Sequence, residues 1–557
     1  MPPMTDRPAP SSPSPRPPRP AATLVVVRDA ITGPEGLEVL LLRRAERGDH
    51  NSGAWVFPGG LVDAGDREAA MCSSGLSDTQ ANARLGVTEG ARDYFVCAVR
   101  ECFEECGLLF ADGPLPDAHT AMHWRRQVHC GELAWADLCT RAGWTLRLDR
   151  LAYLSHWLTP LGRAKRFDTR FFVAVAPAGQ AAVHDEHETV EHAWLRPAEA
   201  LSRGTDFKLM TPTRVTLELL ARFQTCEALM DWARAPRQVA LVMPRVGQGP
   251  EGERPVMPEE PAWAEIGRLD PLGHGHVSYA LVPGVPVRLS ERVIRVTAPN
   301  GSLMTGPGTN TYLVGGGAAN RWTVIDPGPD DEEHVRAVLA AAPGPIEAIV
   351  LTHSHKDHSP ASQALSAATG APVWGRWPAH PQGQDPRLAL DRELQHGERL
   401  VCSSETHLRV LHTPGHASNH LCFLLEEEKL LFTGDHVMQS STVVINPPDG
   451  DMAAYLASLR GLLDEGLEWL APGHGFLMAQ PAKVIEALVA HRLRREALVL
   501  EATLALGPAS VARLRERVYT DIPSALYAMA ERSLLAHLIK LQTEGRVRQD
   551  EAGWSAA

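Results

Sequence analysis

The sequence predicts a multidomain chain that combines α/β and α+β domains, and three observations support this fold class. The chain has 557 residues, which is several times the length of a common single domain. Strand-like apolar runs and helix-like periodic segments occur in both of its halves. Residues of metal-ligand type gather in two distant places, one near residue 100 and the other beyond residue 350. Each cluster is therefore expected to lie in a domain with its own core.

The N-terminal part predicts a short leader followed by a domain over residues 21–245. Residues 1–20 are rich in Pro and Ser and contain three Arg. Such a proline-broken segment does not fit the apolar core of a signal peptide, so a disordered leader is expected. Two apolar runs, 23–28 and 39–44, predict a pair of strands that form a hairpin, and residues 216–220 predict a helix.

Three glutamates, Glu101, Glu104 and Glu105, form the first cluster of metal-ligand type. On a helix, positions i, i+3 and i+4 share one face. Carboxylates this close repel one another unless a cation holds them, and oxygen ligands favour Mg²⁺ or Mn²⁺. A solvated acidic helix face is the alternative explanation. The glutamates alone leave these two explanations equally open. Upstream of them stands the segment 56–66, Val-Phe-Pro-Gly-Gly-Leu-Val-Asp-Ala-Gly-Asp.

Together, segment 56–66 and the Arg-Glu-Cys-Phe-Glu-Glu-Cys-Gly-Leu stretch at 100–108 resemble the Nudix box of hydrolases that cleave a substituted diphosphate. The resemblance implies an α/β/α sandwich in which Glu104 and Glu105 are the principal metal ligands. It further implies that Glu101 is a ligand or base that Arg100 orients. The box departs from the usual pattern, because it has Asp66 in place of a Glu and 33 residues between Asp66 and Arg100. A box split in this way is similar to the peroxisomal coenzyme A diphosphatase-like branch.

Candidate substrate contacts of this domain lie in the basic stretch 161–166. Its cations are Arg163, Lys165 and Arg166, which are predicted to contact a phosphate. An ordinary basic loop is the alternative. Glu188 and Glu191 are weaker candidates for further metal ligands, because such residues more often form a solvated strand end.

The second cluster is the densest in the chain and lies at 352–358, Thr-His-Ser-His-Lys-Asp-His. It follows the largely apolar run 346–351, which predicts a buried strand, and sites in α/β folds lie at the carboxyl ends of strands. Three single residues of ligand type, His416, Asp435 and His474, follow glycines further along the chain. Imidazole and carboxylate suit Zn²⁺, and two ions about 3.5–4 Å apart can share a water. The sequence therefore predicts a hydrolytic site with two metal ions.

The pattern His-x-His-x-Asp-His, followed by His, Asp and His, resembles the metallo-β-lactamase-fold hydrolases, and residues 323–328 resemble their first motif. The resemblance implies an αββα sandwich with the metals at one edge and with Asp326 as a supporting residue that is not a ligand. It implies one zinc held by His353, His355 and His416. It implies a second zinc held by Asp357, His358 and His474, with Asp435 as the bridge. Asp357 is also expected to be a catalytic residue.

Residues 290–557 resemble the lactamase-beta-2-like hydrolases, through segments 308–314 and 440–444 and through a tail that is a winged helix in that branch. Leucines at 534, 535, 538 and 541 indicate a helix with an apolar face, and Gly545 is its predicted stop. The tail from residue 485 carries 10 Lys/Arg and 9 Asp/Glu. A DNA-binding winged helix normally has a basic stripe, so a packing or dimer element is expected. A local basic cluster, Arg492, Arg494 and Arg495, leaves nucleic-acid binding open.

The predicted domains are completed by a connecting segment at 246–285, a metallo-β-lactamase-fold domain at 286–484 and a winged-helix-like domain at 485–557. No apolar run is long enough to span a membrane, so no membrane partner is expected. The nine Cys include no Cys-x-x-Cys pair, which indicates reduced thiols and a cytoplasmic location. The net charge of −13 argues against nonspecific nucleic-acid binding.

The predicted function is that of a bifunctional metal-dependent hydrolase. A zinc-bound hydroxide in the C-terminal domain would attack a thioester or a phosphodiester. The Nudix domain, with Mg²⁺ or Mn²⁺, would cleave a CoA-like, nucleoside-diphosphate-linked molecule. Small acidic metabolites are the expected substrates, and a homo-oligomer stays open. The alternative is a single-stranded RNA endoribonuclease in the C-terminal half, with a Nudix domain used only for ligand binding.

Overall fold

In a computed structural model, the chain divides into two compact units. The residues that the structure describes are 17–31, 36–46, 52–185, 187–204, 206–439, 442–520 and 522–557. The first unit comprises Met1–Val246, Glu253–Pro258 and Pro271–His276, and the second comprises Gly247–Gly252, Glu259–Asp270 and Val277–Ala557. The predicted connecting segment 246–285 is thus divided between the two units. Most of the predicted leader, and the Ser-Ser pair at 440–441 in one of the quoted motifs, lie outside the described residues.

The first unit is a mixed sheet with helices on both faces, which is the predicted α/β/α sandwich. Its strands are β1 (Arg19–Asp29), β2 (Leu37–Arg44), β3 (Trp55–Val56), β4 (Gly59–Leu61), β5 (Ser73–Ser74), β6 (Ala111–Asp112), β7 (Thr145–Arg147), β8 (Ala152–Leu158), β9 (Phe167–Val175), β10 (Thr189–Leu195) and β11 (Leu241–Val242). Its helices are α1 (Ala64–Ala69), α2 (Asp78–Leu85), α3 (Ala91–Cys106), α4 (Ala118–His129), α5 (Trp135–Ala142), α6 (Pro197–Ser202), α7 (Thr211–Leu220) and α8 (Cys226–Arg234). Two short strands, β12 (Arg245–Gly247) and β13 (Arg254–Val256), follow.

The main sheet has the strand order β10-β2-β1-β9-β8-β11, and β1 is one of its central strands. β1 pairs antiparallel with β2, which confirms the predicted hairpin, and parallel with β9. Alternate side chains of β1 enter two different cores, as the period of two in a strand requires. Leu24 packs in the core that contains α3, whereas Val25 packs in the core that contains α7 and α8. β1 begins at Arg19, two residues before the predicted start of the domain.

Helix α3 carries the three glutamates and is anchored by its apolar face. Phe95, Val99 and Phe103 are fully or almost fully buried in the core between α3 and the sheet. Cys102 and Cys106 are buried there too, as expected for cysteines that pack. The helix fixes the glutamates at a defined height above the sheet. The insert between the two parts of the box forms the end of α1, β5, α2 and the start of α3, and its apolar residues pack in the same core.

The second unit begins with α9 (Trp263–Leu269) and continues as two facing sheets with helices outside them. The first sheet contains β14 (Val287–Arg288), β15 (Val293–Thr297), β16 (Asn310–Gly316), β17 (Arg321–Ile325), β18 (Ile346–Val350), β19 (Val373–Gly375) and β20 (Arg392–Glu393). The second contains β21 (Arg399–Ser403), β22 (Thr406–His412), β23 (Leu421–Leu425), β24 (Leu430–Gly434), β25 (Trp469–Pro472) and β26 (Met478–Ala479). The helices are α10 (Glu332–Ala341), α11 (Ser362–Thr369) and α12 (Met452–Gly461).

The layers of this unit form the predicted αββα sandwich. Tyr312 of the first sheet and Phe432 of the second meet in the core between the sheets, with ring centroids 4.9 Å apart. Helices α10 and α11 pack on the outer face of the first sheet, and α12 packs on the outer face of the second. The buried strand predicted over 346–351 is β18, which runs parallel to β17 and β19. The His-rich segment therefore starts at the carboxyl end of a central strand.

The tail is a helical domain with a small hairpin, as the winged-helix resemblance implies. It contains α13 (Pro481–Leu506), α14 (Val511–Val518), α15 (Tyr527–Thr543), β27 (Val547–Asp550) and β28 (Gly553–Ala556). Leu534, Leu538 and Leu541 are fully buried in its core, which confirms the predicted apolar helix face. α15 ends two residues before Gly545, whose φ is 69°. The predicted domain boundary at 484/485 falls inside α13. Among the described residues, no helix combines the length and apolarity that crossing a bilayer requires.

A buried ion pair joins the N-terminal segment of the second unit to its first sheet. Arg295 on β15 and Glu265 on α9 form two hydrogen bonds of 2.7 and 2.8 Å, and both side chains are almost completely buried. The Glu265 carboxylate also accepts from the backbone N–H of Leu477, next to β26. Segment 259–270, assigned by the sequence only to a connection, is therefore an internal part of the second unit.

Replacing Glu265 by glutamine is expected to lower the opening free energy of β15 by about 3–5 kcal/mol, because Arg295 then stays buried without a counter-charge. Hydrogen exchange of peptides from β15, in the full chain, measures this loss. The exposed neighbour Glu259, replaced by glutamine, is the control and is expected to change nothing. Unaltered protection of β15 in Glu265→Gln would show that the pair does not stabilise the sheet.

Candidate metal centres

The seven ligands predicted for the second unit converge at one edge of the sandwich. They form two groups, within each of which the ligating atoms all lie within 4.8 Å of one another. The groups are His353, His355 and His416, and Asp357, His358, Asp435 and His474. Among the described residues, these are the groups of three or more ligand-type side chains that meet so closely.

Strand ends of both sheets supply these ligands. The His-rich segment follows β18 in the first sheet, and His416 lies in the loop after β22 in the second. Asp435 directly follows β24, and His474 lies two residues beyond β25. β24 and β25 are parallel, so their carboxyl ends place these two residues side by side.

Three imidazole nitrogens meet in the first group. Nδ1 of His355 lies 3.0 Å from Nε2 of His353 and 3.0 Å from Nε2 of His416. Nδ1 of His416 donates to the Val444 carbonyl at 2.6 Å, so the lone pair on Nε2 is available to a metal. Burial lowers the pKa of His355 to about 3 and that of His353 well below its usual value. His353 and His355 are therefore neutral, which suits metal binding.

Asp435 connects the two groups. Its Oδ1 lies 3.3 Å from Nε2 of His358 and 3.2 Å from Nε2 of His474, whereas its Oδ2 lies 3.6 Å from Nε2 of His416. Each group thus receives one oxygen of the same carboxylate. The bridging role that the resemblance implied for Asp435 stays a prediction.

The second group fits divalent cations, because several of its buried polar atoms have no other partner. Nε2 of His358, Nε2 of His474 and Oδ1 of Asp435 are buried without a hydrogen bond in the described residues. Buried polar atoms normally have a partner, and a cation between these three would supply it. Burial would raise the pKa of Asp435, but His474 and His358 hold it well below the usual range. Burial lowers the pKa of His474, and Asp435 and Asp357 more than offset this and raise it to about 9.

Asp326 supports the site from behind, as expected. It follows β17 with a φ of 49° and accepts from the backbone N–H of Thr352 at 2.7 Å and from its hydroxyl at 2.6 Å. Nδ1 of His358 donates to the same carboxylate at 2.9 Å, so the ring presents Nε2 to the metal position. Asp326 is in neither group of ligating atoms.

Two buried histidines behind the ligands were missed in the sequence. Nε2 of His420 accepts from the backbone N–H of Asp435 at 3.2 Å, and its Nδ1 lies 3.0 Å from the Thr413 hydroxyl. His436 packs between His420 and Tyr455. Their positions, four residues after one ligand and directly after another, were the available signals. These rings fill the space behind the site and fix the turn that carries Asp435.

Gly473 is required where the two sheets bring the ligands together. A Cβ at this position would lie 2.9 Å from Oδ1 of Asp435 and 2.9 Å from Cε1 of His358. Any side chain at this position would displace Asp435 or His358. This close contact explains why a glycine precedes His474.

The first unit reunites the two parts of its split motif around Arg100. Its guanidinium makes two hydrogen bonds to Asp66, of 2.8 and 3.0 Å, and its Nη1 donates to Glu101 and to Glu104, each at 2.9 Å. Asp66, which the sequence marked only as a departure from the usual box, is completely buried and holds the arginine. The pairing was not visible in the sequence because 33 residues separate the partners.

The glutamates of α3 do not form a solvated acidic face, so that alternative is wrong. Glu104 and Glu105 are buried, and Oε2 of Glu105 accepts from the Gly59 backbone at 3.2 Å. A Cβ on Gly60 would lie 2.3 Å from the Glu101 carboxylate, so the Gly-Gly pair gives this carboxylate its room. Burial raises the pKa of Glu101 to about 7 and that of Glu105 well above its usual value. A bound cation would lower these raised pKa values. The ligand roles of the three glutamates remain a prediction.

The predicted substrate contacts of the basic loop have protein partners. Arg163 pairs with Glu253 at 2.7 Å, and the buried Arg166 donates to the Thr159 carbonyl at 3.1 Å. Lys165 is exposed. Contact of these cations with a phosphate stays a prediction. Of the two weaker candidates for metal ligands, the exposed Glu191 lies 3.5 Å from Arg43.

Comparisons with known proteins identify the domains that carry these groups of residues. Three family models match in chain order: the NUDT19 Nudix domain over residues 90–215, the metallo-beta-lactamase superfamily over 304–474 and the beta-lactamase associated winged helix domain over 510–554. The chain is 32% identical to "Beta-lactamase-like protein 2 homolog" of Drosophila melanogaster, over 48% of this chain and 94% of that protein. It is 35% identical to "Atrochrysone carboxyl ACP thioesterase" of Aspergillus chevalieri, over 39% of this chain and 67% of that protein.

A solved structure is also similar to part of this chain. The NUDIX hydrolase of Alicyclobacillus acidocaldarius has 26% identity and a TM-score of 0.33, covering 38% of this chain and 96% of that one. The domains make the protein a metal-dependent hydrolase. Through its C-terminal half, the chain belongs to the beta-lactamase-like protein 2 branch of the metallo-beta-lactamase superfamily, and it carries a Nudix hydrolase domain in front of this half.

Proposed function

We propose that the chain hydrolyses small acidic metabolites at two separate metal centres. The second unit would cleave a thioester, with a phosphodiester as the other bond within its chemistry, and the Nudix domain would cleave a CoA-like diphosphate. The observation that carries the proposal is the pair of ligand groups joined by Asp435. The named thioesterase relative supports the choice of a thioester for the second unit.

In the second unit, His353, His355 and His416 would hold one zinc, and Asp357, His358 and His474 the other. When bound, two such ions supply a water whose pKa is about 7 instead of about 15.7, and they stabilise negative charge on oxygen. The Asp357 side chain is 28% exposed, whereas those of His358 and His474 are at most 1% exposed. Asp357 therefore lies on the open side of the site, where it can accept a proton from the attacking water.

In the first unit, Arg100 would keep Glu101 and Glu104 in place while a divalent ion, Mg²⁺ or Mn²⁺, neutralises the diphosphate. Glu101 would be a ligand or the base, because Arg100 holds its carboxylate at 2.9 Å beside Glu104. Glu104 and Glu105 would be the principal ligands. The Arg100–Asp66 pair would position the base without touching the substrate.

The charges of the winged helix favour the proposal of a small substrate over that of long RNA, because several of its cations already have partners in the protein. Arg515 pairs with Glu531 at 3.1 Å, and Lys540 pairs with Glu496 at 2.9 Å. Arg492 is buried and donates to the Val443 carbonyl. A polyanion would need several free cations, and its affinity would fall steeply with salt. A small anion needs only a metal and one or two cations.

We also propose a reducing, cytoplasmic compartment. All nine cysteines are free, although Cys102 and Cys106 have sulfurs 3.5 Å apart. Free thiols are typical of proteins in reducing compartments.

A side-by-side comparison of kcat/KM tests the substrate class at physiological salt. The substrates are an acyl-CoA, CoA, NADH and single-stranded RNA, each with the wild type and with His355→Ala. We expect the CoA-type molecules to be turned over better than RNA. Dominant RNA cleavage that disappears in His355→Ala would instead establish the ribonuclease alternative. The same result without any diphosphate cleavage would reduce the Nudix domain to a binding module.

A further inference from the structure

A cavity of ≈ 350 Å³ in the first unit has a lining that no part of the hydrolytic chemistry uses. This volume lies in the range of small-molecule sites. The lining residues come from α2, from β8, and from the end of α8 with the segment after it: Ala83, Arg84, Ala152, Tyr153, Ala233, Arg234, Ala235, Pro236, Arg237 and Val239. Three of them are arginines and none is a carboxylate. None of the glutamates of the Nudix motif belongs to it.

Arg237 is held rigidly in the wall of this cavity. Its Nη2 donates to the carbonyls of Tyr153 and Leu154 at 2.6 and 2.7 Å, and its guanidinium lies 4.4 Å from the ring centroid of Trp232. Its Nε is buried and has no partner in the described residues. Carbonyl acceptors fix the guanidinium without neutralising it, so its positive charge is preorganised for an anion.

The other two arginines carry no counter-charge in the described part of the chain. Arg84 and Arg234 are exposed in the last turns of α2 and α8. Each alone has an ordinary explanation, because a cation near a helix C-terminus is stabilising by roughly 0.3–1 kcal/mol. That explanation does not account for their meeting with Arg237 around one cavity. Three uncompensated cations repel one another, and a bound anion would remove the repulsion.

The wall also offers a donor and an apolar surface. The Tyr153 hydroxyl accepts from Nη1 of Arg170 at 2.8 Å, so its own proton is available to a ligand oxygen. Much of the remaining lining consists of alanines, Pro236 and Val239. A free phosphate would leave this apolar wall uncovered, whereas an organic group attached to the phosphate would cover it.

We propose that this cavity binds a phosphate monoester with a small organic group, held by Arg84, Arg234 and Arg237 and by the Tyr153 hydroxyl. Cleavage of a diphosphate adds water across the P–O–P bridge and yields two phosphate monoesters. If the proposed function holds, the neighbouring chemistry therefore produces ligands of this class. The binding site itself does not depend on that reaction.

Calorimetric titration of the metal-depleted full chain with adenosine 5′-monophosphate tests the site, because metal removal excludes binding at either hydrolytic centre. We expect one site per chain, an affinity that falls between about 50 and 200 mM salt, and binding at least tenfold weaker in Arg84→Gln/Arg234→Gln. Both residues are exposed, so this variant is expected to fold, and thermal melting checks it. Arg222→Gln is the matched control, since Arg222 is an exposed arginine just beyond the end of α7 and does not line the cavity.

Inorganic phosphate and adenosine are the remaining arms of the test. Phosphate is expected to bind more weakly than the monophosphate, and adenosine is expected not to bind measurably. Equal affinity for phosphate and the monophosphate would overturn the organic part of the proposal. Absence of binding at millimolar concentration, or binding that the double variant leaves intact, would overturn the site itself.

Discussion

Replacing His355 by alanine is expected to remove most of the transition metal from the second unit and to lower kcat/KM for its substrate by more than about a hundredfold. Loss of residues that only orient metal ligands already costs about 10–100-fold. His355 is a predicted ligand, and its Nδ1 is the atom near which the other two nitrogens of the first group converge. Elemental analysis of dialysed protein, together with steady-state kinetics, measures both effects.

The wild type is expected to contain close to two ions per chain. His396→Ala serves as the control, because His396 is exposed and lies outside both ligand groups. Its metal content and activity are expected to match those of the wild type. Full metal content in His355→Ala, or a wild type that takes up no transition metal after treatment with zinc, would contradict the assignment of this centre. Iron or manganese in place of zinc would change only the identity of the cofactor.

The substitution Glu105→Gln is expected to abolish Mg²⁺-dependent diphosphate cleavage and to leave hydrolysis by the second unit unchanged. The substitution Asp357→Ala is expected to abolish hydrolysis by the second unit and to leave diphosphate cleavage unchanged. The reason is that Glu105 belongs to α3 and its core in the first unit, whereas Asp357 belongs to the ligand set of the second. Units of this size own their cores and can work separately. Each variant is assayed for both activities, and Glu104→Gln is a second test of the Nudix centre.

Circular dichroism and thermal melting control for folding in these variants. Glu89→Gln is a suitable reference, since Glu89 is an exposed glutamate just ahead of α3. If either Glu105→Gln or Asp357→Ala loses both activities while it stays folded, the two centres do not work independently.

The sequence predicted the second metal centre well because local features encode it. β18 is an apolar run, and the His-rich segment comes directly after it, so a single stretch of chain specifies both the strand and the ligands at its end. His416, Asp435 and His474 each follow a glycine at a strand end or in a turn, which is a short-range signal as well. The αββα layers then followed from the resemblance that these residues carry.

Other contacts could not be predicted because they depend on the tertiary arrangement of distant segments. Asp66 meets Arg100 only after the intervening 33 residues have folded into their own helices. Glu265 looked like part of a linker, yet its short helix supplies a buried counter-charge to Arg295. Nothing near these residues in sequence distinguishes them from exposed charged residues. Pairs of this kind have no periodic pattern, so only the folded chain reveals them.

Helix α13 contributes to two cores, that of the tail and that beneath the second sheet. Ile485, near the start of α13, lies in the core beneath the second sheet. Arg492, about two turns later, donates to the Val443 carbonyl. The next carbonyl, that of Val444, accepts from the ligand His416. A chain shortened at residue 484 would therefore lose more than a winged helix, because the backbone that orients a metal ligand would lose its support. Through these contacts the tail would support the position of His416, whatever else the tail binds.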